Sequence, residues 1–260
     1  MITNPVEIPD LKKLSDTELM SLSPQEFAEK MIARAELLGE TFFHIDNWRM
    51  LELDEETKRK GLAEFCIRLA WREFYNGVHP PAKQIVMLEE LNDDIGIRIR
   101  LAQQIIDEVS HQRIWSEWTK HYGGNPRIQD YKADADISKT FEINTANTDP
   151  AEIAAALQCT GEPLLTYLFG LGSTLEPKNS ITYTLLPDDL LLDIEKRVVA
   201  EEPRHIAVGR DIMAKYCGDA AKRRRVLQVQ TNKMNNAISK FIVDLRLLGA
   251  ERITPLPIVT

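Results

Sequence analysis

Apolar residues recur every three to four positions in nearly every segment of the chain and seldom alternate strictly, a pattern that predicts an almost wholly helical protein. Ser23-Pro24-Gln25-Glu26 has the form of a capping box with proline at the first helical position. Phe27, Met31, Ile32 and Leu37-Leu38 follow, predicting an outer helix over about 24–39. The face made by Leu62, Phe65, Cys66, Leu69 and Ala70 predicts a second helix from about Glu55 to Leu91, bent at Pro80-Pro81. Asn92-Asp93-Asp94 reads as a polar turn. Ile95, Ile99, Leu101, Ile105 and Trp115 then mark a long helix that ends at Gly123-Gly124.

Residues 125–148 are polar and lack clear periodicity, so they are expected to form a crossover connection of the kind some four-helix bundles use. Asp149-Pro150-Ala151-Glu152 reads as a second capping box, opening a helix through Cys159 and Phe169 that stops near Gly170 and Gly172. Pro187-Asp188-Asp189 opens another, with acids in the first turn where the helix dipole favours them, running to about Tyr216. Gly218-Asp219 precedes a last helix of about 30 residues ending near Gly249, and the tail ITPLPIVT is expected to be extended.

Composition narrows the class. With 260 residues, 43% apolar and 28% charged, the chain has enough material for one sizeable domain over 1–260. Its 32 basic and 40 acidic residues leave a net charge of −8, which repels a phosphate backbone, and the short basic run Lys222 to Arg225 does not reverse that. The expectation is no nucleic-acid partner. No apolar run of membrane-spanning length and no signal-like N-terminus is visible, so a cytoplasmic protein with no membrane partner is expected. Cys66, Cys159 and Cys217 are too scattered for a disulfide framework, a zinc site or an iron–sulfur set, and read as reduced core residues.

Two segments carry candidate chemistry: Asp107-Glu108-Val109-Ser110-His111 and Glu201-Glu202-Pro203-Arg204-His205. Each holds Glu-x-x-His, a spacing that puts carboxylate and imidazole on one helix face, one turn apart, where both reach one metal or bridge to a second. Their neighbours a turn or two away are largely apolar (Leu101, Ile105 and Trp115; Val198, Val199 and Ile206), so both pairs should point inward. A buried carboxylate beside a buried imidazole is costly without charge compensation, which metal ions provide.

A dinuclear site in a four-helix bundle also needs one glutamate from each remaining helix at equal height. Residues of a helical hairpin at equal height are equidistant from its turn, which pairs Glu73 with Glu108 about the Asn92-Asp93-Asp94 turn, and Glu162 with Glu202 about the Gly172 to Pro187 connection. Glu64 would centre its turn inside an apolar run, and Glu152 is a capping residue. The alternative is a core with polar inclusions or other glutamate partners. His44, His79 and His121 lack a glutamate three residues earlier and read as surface or packing residues.

The order Glu73, Glu108-x-x-His111, Glu162, Glu202-x-x-His205 resembles the ferritin-like di-iron carboxylate oxygenases, a superfamily that includes the ribonucleotide reductase radical subunits. Asp107 before Glu108, Arg204 before His205 and Gly209 four residues further on resemble its DExRH…G pattern. The resemblance covers about 57–216 and implies an all-α fold, a ferritin-like four-helix bundle core with flanking N- and C-terminal helices. It further implies one metal held by Glu73, Glu108 and His111 and another mostly by Glu162, Glu202 and His205, with one or two glutamates bridging. Asp107 and Glu201 fall where the family places acids that orient the imidazoles. Glu201 in place of the usual Asp, Pro203 inside a metal-bearing helix and the long Glu162 to Glu202 interval depart from the pattern.

The implied activity is O2-dependent oxidation of a small organic substrate (hydroxylation, N-oxygenation or desaturation) with two iron ions, manganese or a mixed pair also suiting the ligands. The alternative is a ferroxidase or a radical-generating or structural metal protein of the same fold. Trp115, where the radical subunits carry a tyrosine, excludes a tyrosyl radical there and reads as core or as pocket wall. Phe74, Trp115, Trp118, Tyr167 and Phe169 are the expected pocket lining. Without a dinucleotide fingerprint or cluster-binding cysteines, an external reductase or ferredoxin is expected, and a homodimer is possible on this reading.

Overall fold

A computed structural model describes residues 7–90, 95–170 and 176–260. The expected polar turn at Asn92-Asp93-Asp94 and the helix stop at Gly172 lie outside the described residues.

The fold is mostly helical. A short strand, β1 (Glu7–Ile8), and helix α1 (Asp16–Ser21) lead into α2 (Pro24–Phe43). Ser23 caps α2 through the reciprocal bonds of a capping box, as the sequence predicts. The helix runs a turn beyond the expected end because Phe42 and Phe43 remain on its buried face. Strand β2 (Trp48–Met50) follows, then α3 (Glu55–Arg72), capped by Asp54. A π-helical segment over Glu73–Val78 joins α3 to α4 (His79–Glu90), so the expected bend at Pro80-Pro81 is replaced by a wide turn just before it. Helix α5 (Ile95–His121) is uninterrupted over 27 residues and closes at Gly123, whose φ of 81° requires glycine.

The 125–148 connection is not irregular throughout. It contains α6 (Ala135–Ala146), capped by Asp134, whose buried residues are Ile137, Thr140 and Asn144. Two of those three are polar, which is why hydrophobic periodicity does not find the helix. The second expected capping box is only half made. Asp149 accepts from the Ala151 amide at the start of α7 (Pro150–Ala156), while Glu152 turns outward to Arg225. A π segment over Leu157–Gly161 connects α7 to α8 (Glu162–Leu168). After the short α9 (Ile181–Leu185), the single helix expected from Pro187 to Tyr216 is instead α10 (Asp188–Ile194), a third π segment (Glu195–Val199), and α11 (Glu202–Tyr216). Helix α12 (Ala220–Leu247) is the expected long last helix.

The extended tail forms β3 (Ala250–Arg252), antiparallel to β2, and β4 (Ile258–Val259), parallel to β1. Helices α3 and α4 pack along α5, while α7 and α8 pack on α11. The two groups meet through α5 against α11 and α4 against α7. Outside this core, α2 covers α8 and α11, and α12 covers α3, α6 and α7. The three cysteines are free and buried, as expected. No helix among the described residues is long and apolar enough to cross a membrane.

Candidate metal centre

Three core helices widen where they present a candidate carboxylate. Glu73 opens the 73–78 π segment, Glu162 directly follows 157–161, and Glu202 lies three residues beyond 195–199. Prolines follow each: Pro80-Pro81, Pro163 and Pro203. A proline ring lacks an N–H and collides with the carbonyl four residues earlier, so an ordinary helix breaks there. A preceding turn with wider hydrogen-bond spacing moves that carbonyl aside and lets the chain continue, with an extra residue aimed off the helix face. Pro163 and Pro203 accordingly stand in the first turns of α8 and α11, where a missing N–H costs nothing.

The structure brings all six predicted site residues together in the interior. None is more than 4% exposed. One group joins Glu73, Glu108 and His111; another joins Glu108, Glu162 and His205. In each, one donor atom per residue lies within 4.8 Å of the others. Glu108 belongs to both, with Oε2 3.5 Å from His111 Nδ1 and Oε1 3.3 Å from His205 Nδ1. Glu202 also lies between the imidazoles, Oε2 3.2 Å from His205 Nδ1 and Oε1 4.0 Å from His111 Nδ1. Both imidazoles thus present Nδ1 to the carboxylates.

Their other ring nitrogens face outward to acids contributed by the opposite helix. His111 Nε2, on α5, is 3.1 Å from Glu201 Oε2, and His205 Nε2, on α11, is 3.2 Å from Asp107 Oδ2. Arg204 ties the two acids together, donating to Asp107 at 3.0 Å and reaching Glu201 at 3.1 Å. Each helix therefore orients the imidazole of the other, and such outer partners fix tautomer and ring angle in metal sites. Further donors hold the carboxylates. Trp115 Nε1 donates to Glu73 Oε1 at 3.0 Å, and Gln104 Nε2 donates to Glu162 Oε1 at 2.8 Å. Gln104 in turn accepts from Gln158, which donates to Gln84, so a buried glutamine ladder runs from Glu162 to α4. Gly77 leaves the room Glu108 occupies, because a Cβ there would stand 2.6 Å from Glu108 Oε2.

Four buried carboxylates around two imidazoles cannot all stay charged without compensation. Burial, then the neighbouring Glu108 carboxylate, pushes Glu73 up to about 8, and burial with Glu202 and Glu108 raises Glu162 well above the carboxylate range. Burial opposes ionisation of Glu108, but His111 and His205 outweigh it and hold it low. Burial likewise opposes protonation of His111, yet the surrounding carboxylates raise it to about 9, and they raise His205 further from its ordinary value. Protons are thus what the bare cluster holds in place of cations. Two divalent ions would match the four carboxylates charge for charge, with both imidazoles neutral as ligands. His111 Nδ1, buried with no hydrogen-bond partner, would offer its lone pair there once a metal displaces its proton. The donor set fits a pair of metal ions, and oxygen and imidazole donors suit iron, manganese and zinc alike.

The other histidines serve packing: His79 stacks on Tyr75, His121 lies edge-on to Trp118, and His44 caps a turn at Asp46. Glu176 is paired with Lys178 away from the centre. The expected pocket lining is corrected. A cavity of about 40 Å3 lies against Glu73, Glu108 and Glu162, but Phe74, Trp115, Trp118, Tyr167 and Phe169 do not line it. Its far wall is Arg72, Asn76, Asn144, Lys233 and Lys240, contributed in part by α6 and α12. The missed partners Gln104 and Gln158 left one trace in the sequence, a glutamine at an interior helical position. No known protein-family model matches the chain, and no curated protein matches it.

Proposed function

We propose that the chain is a ferritin-like di-metal oxidoreductase that uses O2 to hydroxylate, N-oxygenate or desaturate a small organic molecule. The observation that carries this reading is Glu108, a buried carboxylate shared by two carboxylate–imidazole triads that, with Glu202, bring four buried carboxylates together, the charge of two divalent cations. Iron is the proposed metal, with manganese or a mixed pair as variants, and when bound it supplies the electrons that O2 accepts.

The chain's residues would divide the work. Glu73 and His111 hold one position, Glu162 and His205 the other, with Glu108 and Glu202 between them. Glu201 and Asp107 keep both imidazoles turned so that Nδ1 faces the centre. Trp115 and Gln104 restrain Glu73 and Glu162, so that a carboxylate changing its mode of contact does so against a defined hydrogen bond. The apolar wall of Leu157, Leu164, Leu165 and Phe241 limits water around the cavity. The buried, scattered cysteines offer no redox relay, so electrons would come from a separate reductase or ferredoxin.

Anaerobic titration with ferrous iron tests the reading: about two ions per chain should bind. O2 uptake should then stop after a near-stoichiometric burst until reductant and an organic substrate are added. Binding of one ion or none refutes the dinuclear reading. Sustained oxidation of added ferrous iron without organic product makes the protein a ferroxidase.

A further inference from the structure

The cavity beside the centre gathers three buried basic side chains in its lining. Lys233 and Lys240 lie seven residues apart, two turns along one face of α12, and Arg72 ends α3 next to Glu73. All three are buried, at 5%, 3% and 6% exposure, although a buried cation is costly unless it meets a counter-charge. Apart from the glutamates of the centre, one carboxylate among the described residues serves this group. Asp244 binds Arg68 at 2.8 Å, and it is 3.5 Å from Arg72 and 3.9 Å from Lys240. Arg68 takes a second acid, Asp134. Lys233 donates only to a neutral amide oxygen, Asn144 Oδ1, at 2.8 Å, and Lys240 Nζ rests 3.7 Å from the centre of the Phe241 ring.

Outside the glutamates of the centre, four basic side chains therefore share two carboxylates, and burial pushes Lys233 down to about 7 and Lys240 well below its ordinary value. Glu73 and Glu162 act on Arg72, and Glu162 on Lys233, as the remaining counter-charges; on the oxidoreductase reading two divalent ions would take up their charge and leave the basic side chains under-paired. Three polar atoms of the same wall are also buried without partners: both amide atoms of Asn76, and Asn144 Nδ2. Orphaned amide groups and under-paired basic side chains around a void are what a bound anion would complete.

We infer that this cavity is the subsite for the carboxylate group of the substrate, so that the oxidised molecule is a small organic acid. The inference rests on the oxidoreductase reading. The carboxylate would sit among Arg72, Lys233, Lys240 and the Asn144 amide, in a cavity that Glu73, Glu108 and Glu162 also line. The cavity, about 40 Å3, has room for roughly three water-sized probes, which is a carboxylate and one or two attached carbons. The carbon or amine nitrogen presented to the metal side is then within a few bonds of the acid group.

The test compares sodium acetate with acetamide, its neutral isostere, at constant ionic strength. Both are titrated into the metal-free protein and into protein given two equivalents of Mn(II), with melting temperature and affinity as readouts. Acetate should raise the melting temperature saturably in both states and acetamide should not. In Lys233→Met and Lys240→Met, which keep the aliphatic stem, acetate affinity should fall at least tenfold. Equal effects of acetate and acetamide on the unaltered chain overturn the inference, whatever the variants do. Undiminished acetate binding in both folded variants also overturns it, because it places acetate away from the two lysines. Manganese stoichiometry in the same samples judges the metal centre separately: a chain that binds no manganese yet discriminates acetate from acetamide keeps the anion site and loses the oxidoreductase.

Discussion

Gly77→Ala should stabilise a plain helix and damage this one's centre. Alanine in place of glycine inside a helix contributes roughly 0.5–1 kcal/mol from backbone entropy alone. At Gly77 the new Cβ would stand 2.6 Å from Oε2, 2.7 Å from Cδ and 2.9 Å from Cγ of Glu108. An ordinary contact begins near 3.4 Å, so the carboxylate must retreat by about 0.8 Å, the difference between 3.4 and 2.6. Overpacking of this kind costs about 1–3 kcal/mol where the neighbour cannot move. Glu108 is 2% exposed and held between two imidazoles, so movement also pulls it from both.

The net change in metal-free stability is then small, between a gain of about 1 and a loss of about 2 kcal/mol. Metal binding is the sharper readout. Loss of an outer-sphere partner alone weakens a metal site about 10–100-fold, and displacement of a shared ligand should cost at least as much at both positions. Anaerobic calorimetry with ferrous iron, paired with melts of the bare protein, separates the two effects. If Gly77→Ala binds both ions with unaltered affinity, Glu108 is not the shared ligand.

Metal-free protein should lose stability as pH rises from about 4.3 to 9: Glu73, raised to about 8, loses its stabilisation between the unfolded glutamate value of about 4.3 and 8, and His111, raised to about 9, between about 6.5 and 9. Metal-loaded protein should gain stability up to about pH 6.5 and be nearly flat above it, since metal displaces those protons and the unfolded chain has already lost them, and parallel curves in melting scans would refute the assignment. Glu162→Gln should leave the bare protein as stable or more so while shrinking the iron-induced melting shift; an unchanged shift removes Glu162 from the site. Asp107→Asn should weaken metal binding about 10–100-fold and flatten the acid limb of stability below about pH 4, because Asp107 is held down at about 2 against burial by His205, Gln103 and Arg204. Gly209→Ala should destabilise by about 1–3 kcal/mol, since its Cβ would stand 2.2 Å from the Cβ of Gln158, an atom with little freedom to give; a melt matching the parent's would refute the close approach.

The part of this architecture that is local in sequence was legible there. Glu108 with His111, and Glu202 with His205, sit one turn apart on a helix, so spacing alone fixes their common face. Glu73 and Glu162 followed from equal height in paired helices, and the structure does gather them with the other four. The π segments escaped because periodicity arguments assume a constant turn, though Pro80-Pro81, Pro163 and Pro203 marked their positions. Helix α6 escaped because its buried face carries Thr140 and Asn144, whose partners are on α12, about ninety residues away. Lys233 and Lys240 likewise look like ordinary solvated charges in a sequence. Only the packing of α12 over α3 and α6 turns them inward.

The wide turns at 73–78, 157–161 and 195–199 also govern where the chain tolerates a change of length. Deleting a residue from an ordinary helix re-phases everything beyond it by about 100° and turns its apolar face to water. Deletion within a π segment instead removes the surplus residue and returns the turn to α spacing, with both flanks still in phase. Relatives should therefore align with one-residue gaps at these three places and nowhere else in the core helices. Such a gap would preserve the bundle while redirecting the carboxylate beside it, which makes these turns the points at which the same scaffold can acquire or surrender its chemistry in a single step.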